Sequence, residues 1–163
     1  MPAGVGAALA ARSGAGPETP LPYTEEISHP ALAAPEIARG RFRRAPDGAL
    51  IREQTAPREE TSRIGAGYIT VMRPGETGTE LLPIPDEMAP MLDAMRALLA
   101  GAPEAAIARS SAELAAAPEG WRLALGFAGG GPGLTLYGCG DRLTGLEIAE
   151  PGGTRRRIRF GAP

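Results

Sequence analysis

Residues 87–100 read EMAPMLDAMRALLA, and the spacing of their apolar members decides how the rest of the chain is read. Met88, Met91, Leu92, Met95, Leu98 and Leu99 share one side of a 3.6-residue repeat, which predicts an amphipathic helix. Pro90 is tolerated only in a first turn, and Asp86 is a candidate cap, so the helix starts between Asp86 and Pro90. Gly101 supplies a C-terminal stop, with Pro103 just beyond it. A second short helical turn is predicted over Glu104–Arg109.

Outward from this helix, nearly everything reads as strand. Upstream, LPYTEEIS (21–28) can turn Leu21, Tyr23 and Ile27 inward. Ile37–Arg44 alternates, with Arg39, Arg41 and Arg43 on one face and Gly40 and Phe42 on the other. Pro46–Gly48 marks a turn into the return strand Ala49–Gln54. Glu59–Ile64 and Tyr68–Met72 follow around Gly65-Ala66-Gly67, and the latter (YITVM) has the strongest β-propensity of the chain. A weaker segment, Thr79–Ile84, leads into the helix. Downstream, SSAELAA (110–116) reads as strand, although SAELAAA (111–117) could equally be helical, and Trp121–Phe127, Leu134–Tyr137, Leu143–Ile148 and Arg155–Phe160 read as strands. Strands, a helical interruption and strands again predict an antiparallel α+β fold.

The 163 residues suffice for one domain, and 43% of them are hydrophobic. Only 4% are aromatic, so the core must come from Leu, Ile, Met, Val and Ala. The 23 glycines and 17 prolines are spread among turns, as in a many-turned β protein. A net charge of −2 gives no electrostatic case for nucleic acid. All 17 basic residues are arginine. No segment is long and apolar enough to span a membrane as a helix. Residues 1–19 divide from the domain at 20–163 by composition. MPAGVGAALAA, with Ala8-Leu9-Ala10 as an A-x-A step, reads as a signal-peptide remnant or as a disordered Ala/Gly arm, and RSGAGPETP (12–20) reads as a linker.

Residues that carry chemistry are few. His29 is the single histidine and Cys139 the single cysteine, and nothing local marks either as activated for nucleophilic catalysis. One cysteine forms no internal disulfide and one histidine anchors no metal cluster; Cys139 is expected as a small buried or edge residue. Glu25-Glu26 and Glu59-Glu60 place their members on opposite strand faces and read as solvated charges. Gly129–Gly133 lacks the Lys-Ser/Thr ending of a phosphate loop and reads as a hairpin loop. Arg155–Arg159 alternates between faces, which suits a solvated strand face better than a nucleic-acid patch. What remains is the Met/Leu stripe. It is either a core helix packed on a sheet or a helix that closes an apolar cavity and yields to a ligand, a role for which flexible thioethers are suited.

The order of these elements resembles the LolA-like periplasmic lipoprotein carriers. The resemblance runs from about Pro22 to Phe160. It is carried by YTEEISHPALAAPEIARGRF (23–42), TAPREETSRIGAGYITV (55–71), the apolar helix ending LLAG (98–101), EGWRLAL (119–125) and DRLTGLEIAEPGGTRRRIRF (141–160), with Gly40-Arg41-Phe42 as the family's G-x-F step. Where better-known carriers place a substantial helix before the first strand, this chain has a short Gly/Pro-rich segment.

The resemblance implies a curved antiparallel sheet, an unclosed β-barrel, with one main apolar helix and a short second helix as lid. It implies a periplasmic, non-enzymatic carrier, monomeric and without cofactor. Such a carrier takes lipoprotein or lipid acyl chains from an inner-membrane donor and hands them to an outer-membrane acceptor. The implied cup is lined by Phe42, Leu50, Ile69, Val71, Trp121, Leu123, Leu125, Leu136, Ile148, Ile158 and Phe160. Met88, Met91, Leu92, Met95 and Leu99 lie across its mouth. The family's basic residue in the early hairpin has Arg43 or Arg44 as its nearest counterpart, at a rim that holds a head group. An enzyme on the same fold, or a partner-binding β-domain, is the alternative.

Overall fold

The computed structural model describes residues 20–100, 102–140 and 142–161. The chain runs β1 (Leu21–Ser28), β2 (Glu36–Arg44), β3 (Leu50–Ala56), β4 (Glu60–Ile64), β5 (Tyr68–Met72), β6 (Glu80–Pro83), α1 (Ala89–Ala100), α2 (Pro103–Ala108), β7 (Ser111–Ala117), β8 (Gly120–Gly126), β9 (Gly133–Cys139), β10 (Arg142–Ala149) and β11 (Arg155–Phe160). The predicted strands and both helices are present, and SAELAAA is strand, because β8 pairs it residue for residue from Ser111↔Gly126 to Ala117↔Gly120. Pro90 lies in the first turn of α1, as its missing N–H requires. The reading of residues 1–19 lies outside the described residues.

All eleven strands form one antiparallel sheet in the order β6-β5-β4-β3-β2-β1-β11-β10-β9-β8-β7. Two meanders are therefore joined through the pairing of the first strand with the last, in register Tyr23↔Phe160 and Glu25↔Ile158. The sheet is not closed: β6 and β7 are its two edges. The chain must pass from one edge to the other, and it does so through α1 and α2. This crossover carries the helical side chains onto the face that holds the buried apolar cluster.

Strand alternation chooses the face that α1 covers. Tyr23, Phe42 and Leu50 from the first meander and Leu123, Leu134, Leu136, Leu146, Ile148 and Ile158 from the second form one buried cluster with Met91, Leu92, Ala94, Met95 and Leu98. Residues one position away turn outward, so β11 alternates exposed Arg155, Arg157 and Arg159 with a buried Ile158. One glycine is dictated by this packing. Trp121 lies across Gly138, where a Cβ would collide with the indole, and its Nε1–H donates to the Gly140 carbonyl at 3.0 Å.

Leu136 is 1% exposed, whereas Leu81 on the edge strand β6 is 59% exposed. Leu136→Ala is therefore expected to lower the unfolding free energy by about 2–5 kcal/mol. Leu81→Ser is expected to change it by less than about 0.5 kcal/mol. Urea denaturation of the two variants measures the contrast.

Candidate functional site

The concave face has an apolar part and a polar part. In the apolar part the residues expected to line the cup converge. Phe42, Leu50, Trp121, Leu123, Leu125, Leu136, Ile148 and Ile158 are buried in one cluster with Met91, Leu92 and Met95, and Ile69, Met88 and Phe160 pack half-buried against it. Val71 is buried and shares a face of β5 with Ile69. The side chain of Leu99 lies outside the described residues. Tyr23, Leu134, Leu143 and Leu146 belong to the cluster too. The apolar alternation of β9 and β10 carried the signal for the three leucines.

The side chains of α1 fill this concavity, and one loop seats the helix. Gly131, in the glycine-rich β8–β9 loop, packs against the Glu87 carbonyl so closely that a Cβ would clash. On the other side, Asp47 and Gly48 of the β2–β3 turn face Asp93, Arg96, Ala97 and Arg109 across a cleft. Between α1 and α2 a cavity of about 360 Å³ is lined largely by Ala94, Ala97, Ala105 and Ala106. A second cleft, of about 430 Å³, has Trp121, Ile158 and Phe160 in its wall with Arg157, Arg159 and Glu119 around it. Gly138 and Gly145 line it as well, and it meets the buried cluster at Ile158 and Trp121.

The two expected rim arginines part company. Arg43 lies on the outer face and donates through Nε to Glu53 Oε1 at 2.7 Å, beside Arg41, which bonds the other oxygen of the same carboxylate. Arg44 alternates with it, on the face of Phe42 and opposite Leu50. The hydrogen bonds from Arg43 and Arg41 hold the Glu53 carboxyl below its usual value.

The polar part departs from the expectation of solvated carboxylates in one respect. Glu25 is not solvated: it is 2% exposed. Its position on β1 aims it into the concavity between Tyr23 and Ile27. There it bonds Arg52 from β3 through one oxygen and Arg156 from β11, at 3.3 Å, through the other. Arg156 also reaches Glu150 at 3.1 Å. Burial alone would lower the Arg156 pKa, but Glu25 and Glu150 more than offset it and raise it. Arg52 Nη2 also donates to Gln54 Oε1 at 2.9 Å. The Arg52 guanidinium stands 5.4 Å from the centroid of the Tyr23 ring, which packs on Phe42 at 4.6 Å. The Tyr23 hydroxyl is buried and its O–H reaches no acceptor, an omission that costs about 1–3 kcal/mol in a folded protein. Burial raises the phenol pKa, opposed by Arg52 and reinforced by Glu25, so the hydroxyl stays protonated at neutral pH.

The remaining chemical candidates are separated. His29 accepts from the Ala31 N–H through Nδ1 at 3.0 Å and donates from Nε2 to the Gly152 carbonyl at 3.2 Å, tying two turns together. Cys139 ends β9 and is exposed, not buried. No group of His, Cys, Asp and Glu among the described residues is placed to hold a metal ion. No described helix is long and apolar enough to cross a membrane.

An unclosed antiparallel half-barrel whose apolar concavity is stoppered by a methionine-rich helix defines the class of protein. The match to known proteins gives the family: residues 9–162 match the family model of LolA-like outer membrane lipoprotein carrier proteins, and the chain belongs to that family. No curated protein sequence matches it significantly. Among solved structures, a LolA superfamily protein from Nitrosomonas europaea is 9% identical, with a TM-score of 0.46 over 97% of this chain and 92% of its own. The MucA/MucB complex of Pseudomonas aeruginosa contains a chain 12% identical, with a TM-score of 0.41 over 96% of this chain and 57% of its own. LprF from Mycobacterium bovis is 11% identical, with a TM-score of 0.35 over 97% and 93%.

Glu25→Ala leaves two partly buried guanidinium groups without their shared carboxylate, and is expected to destabilise the fold by about 3–5 kcal/mol in urea titrations. The depressed Glu53 pKa makes a separate prediction. A carboxyl whose folded pKa lies below its unfolded value, about 4.3, contributes stability that is present above that value. The contribution is lost as pH falls through the lower, folded pKa. Glu53→Gln should therefore flatten the acid limb of the stability profile below about pH 4.3, as read from thermal midpoints across pH.

Proposed function

We propose that the chain is a single LolA-like domain over residues 20–163 that works as a non-catalytic carrier in the cell envelope. It binds acyl chains of lipoproteins or related lipids in its apolar concavity and releases them to an outer-membrane acceptor. The observation that carries this reading is the apolar concave face of an unclosed sheet occupied by side chains of one helix, in a family of lipoprotein carriers.

The physics of such a carrier needs no nucleotide. Removing acyl chain from water stabilises by about 0.8 kcal/mol per CH₂, but a membrane and an apolar cup supply nearly the same environment. Transfer between them turns on small differences. In the absence of ligand, Met91, Leu92, Met95 and Leu98 cover the leucines of β8–β10 and keep them from water. On loading, α1 swings aside and the acyl chain replaces those contacts. Met88, Met91 and Met95 suit both states because an unbranched thioether repacks against varied partners. The cleft beside Trp121 and Phe160 offers a starting point for entry. The lining residues of the unloaded cup and the ligand-binding residues are, in this reading, the same set.

Partner binding without lipid transport is the second reading. It has in its favour the exposed apolar surface of the β5–β6 hairpin, where Tyr68, Met72, Leu81 and Leu82 are 40–59% exposed.

The test is titration of the purified protein with N-phenylnaphthylamine, a neutral dye that fluoresces in apolar surroundings. Saturable uptake is expected, with displacement by a triacylated lipopeptide. Met91→Asp should abolish uptake and Met91→Leu should retain it, with circular dichroism confirming that both are folded. Uptake that never saturates, or that is indifferent to Met91→Asp in a folded variant, would sink the carrier reading and leave partner binding.

A further inference from the structure

We propose that the Tyr23 hydroxyl is the anchoring donor for a neutral carbonyl, an ester or amide, at the head of the acyl ligand. This assignment rests on the carrier reading and names the chemistry of its cargo.

Tyr23 is 2% exposed, and its O–H reaches no acceptor in the unloaded fold. It is a donor in need of an acceptor, because the phenol stays protonated in this setting. Arg52, whose guanidinium stands nearest the ring, carries only donors, and the hydroxyl lies within hydrogen-bond reach of no acceptor among the described residues. A ligand entering the concavity can supply the acceptor that the fold does not.

Position and charge narrow what that is. Tyr23 stands at the seam of the concave face. Its ring packs on Phe42 and belongs to the same cluster as Met91, Met95 and Leu136, on which the acyl chain would lie. On its other side begins the polar network of Glu25, Arg52 and Arg156. A ligand whose chain replaces α1 brings its head to this seam. The two arginines are balanced by Glu25 and Glu150, so the network has no cationic surplus for a free carboxylate or phosphate. A carbonyl oxygen accepts a hydrogen bond from the phenol and adds no charge. Ester and amide heads fit the seam, and free acids do not.

The experiment is displacement of N-phenylnaphthylamine from the full chain by methyl laurate, laurate and dodecane, in wild type and Tyr23→Phe. The phenylalanine keeps the ring and its contact with Phe42. A neutral hydrogen bond of ordinary strength corresponds to about a two- to tenfold change in affinity. Tyr23→Phe should raise the methyl laurate concentration needed for displacement by that factor and leave dodecane unchanged. Wild type should bind methyl laurate more tightly than laurate at pH 8. The carbonyl stretch of ¹³C-labelled methyl laurate should shift to lower wavenumber on wild type and not on the variant. Equal losses for dodecane and methyl laurate, or tighter binding of laurate than of its ester, would overturn the assignment. So would a clearly lowered urea midpoint for Tyr23→Phe, since it would show that the hydroxyl is bonded within the unloaded fold. Failure of wild type to take up the dye at all would instead remove the carrier reading itself, and the assignment with it.

Discussion

The constraint on which this structure turns is that its sheet does not close. An eleven-stranded antiparallel sheet with β6 and β7 as free edges has a concave face dense in leucine, and that face cannot be left to water. The chain resolves this with the segment that must in any case travel from β6 to β7. Because α1 lies on that route, its apolar stripe meets the leucines of β8–β10 and the aromatic residues of β1 and β2 in one cluster. Cover and crossover are the same piece of chain. The seating of Gly131 against Glu87 then fixes the entry of the helix.

The second organising feature is the division of the concave face. One part is a dry cluster of Leu, Met, Phe and Trp, and the other holds an ion network built on Glu25 with Arg52 and Arg156. Buried ion pairs add little net stability over apolar residues of similar shape, but removing one member is costly. In this protein the network also joins three strands, β1, β3 and β11, across the seam between the two meanders. Tyr23 belongs to both parts, through its ring to the dry cluster and through its hydroxyl to the polar one.

Much of this was legible in the residues. The period of 3.6 over Met88–Leu99 and the period of two in β2 and β11 placed the helix and the strands, since each reflects one element lying on one apolar face. Turn chemistry at Pro46–Gly48 and Gly65–Gly67 placed the hairpins. The apolar cup residues were recognised because burial follows alternation. Glu25 was misread for the same reason that it matters. A carboxylate on an inward position is expected in solvent unless a cation waits for it, and both of its cations lie far away in sequence, on β3 and β11. SAELAAA was ambiguous because alanine-rich segments have weak intrinsic preference, and pairing with β8 decided it. Arg43 and Arg44 are adjacent and chemically alike, yet only the pleat separates the one that faces outward to Glu53 from the one on the face of Phe42.

By itself, then, the sequence determined the inventory: strands, two helices, an apolar stripe, and a chain poor in residues for catalysis. These follow from interactions between residues near one another along the chain. Tertiary structure decided what the stripe does and what its neighbourhood demands. That α1 bridges the two free edges, that Glu25 is shared by two arginines, and that the Tyr23 hydroxyl is left wanting an acceptor all depend on the pairing of β1 with β11. That pairing brings the first and last strands together. Local periodicity carries no information about it, because the free energy that selects it comes from closing one core around one helix.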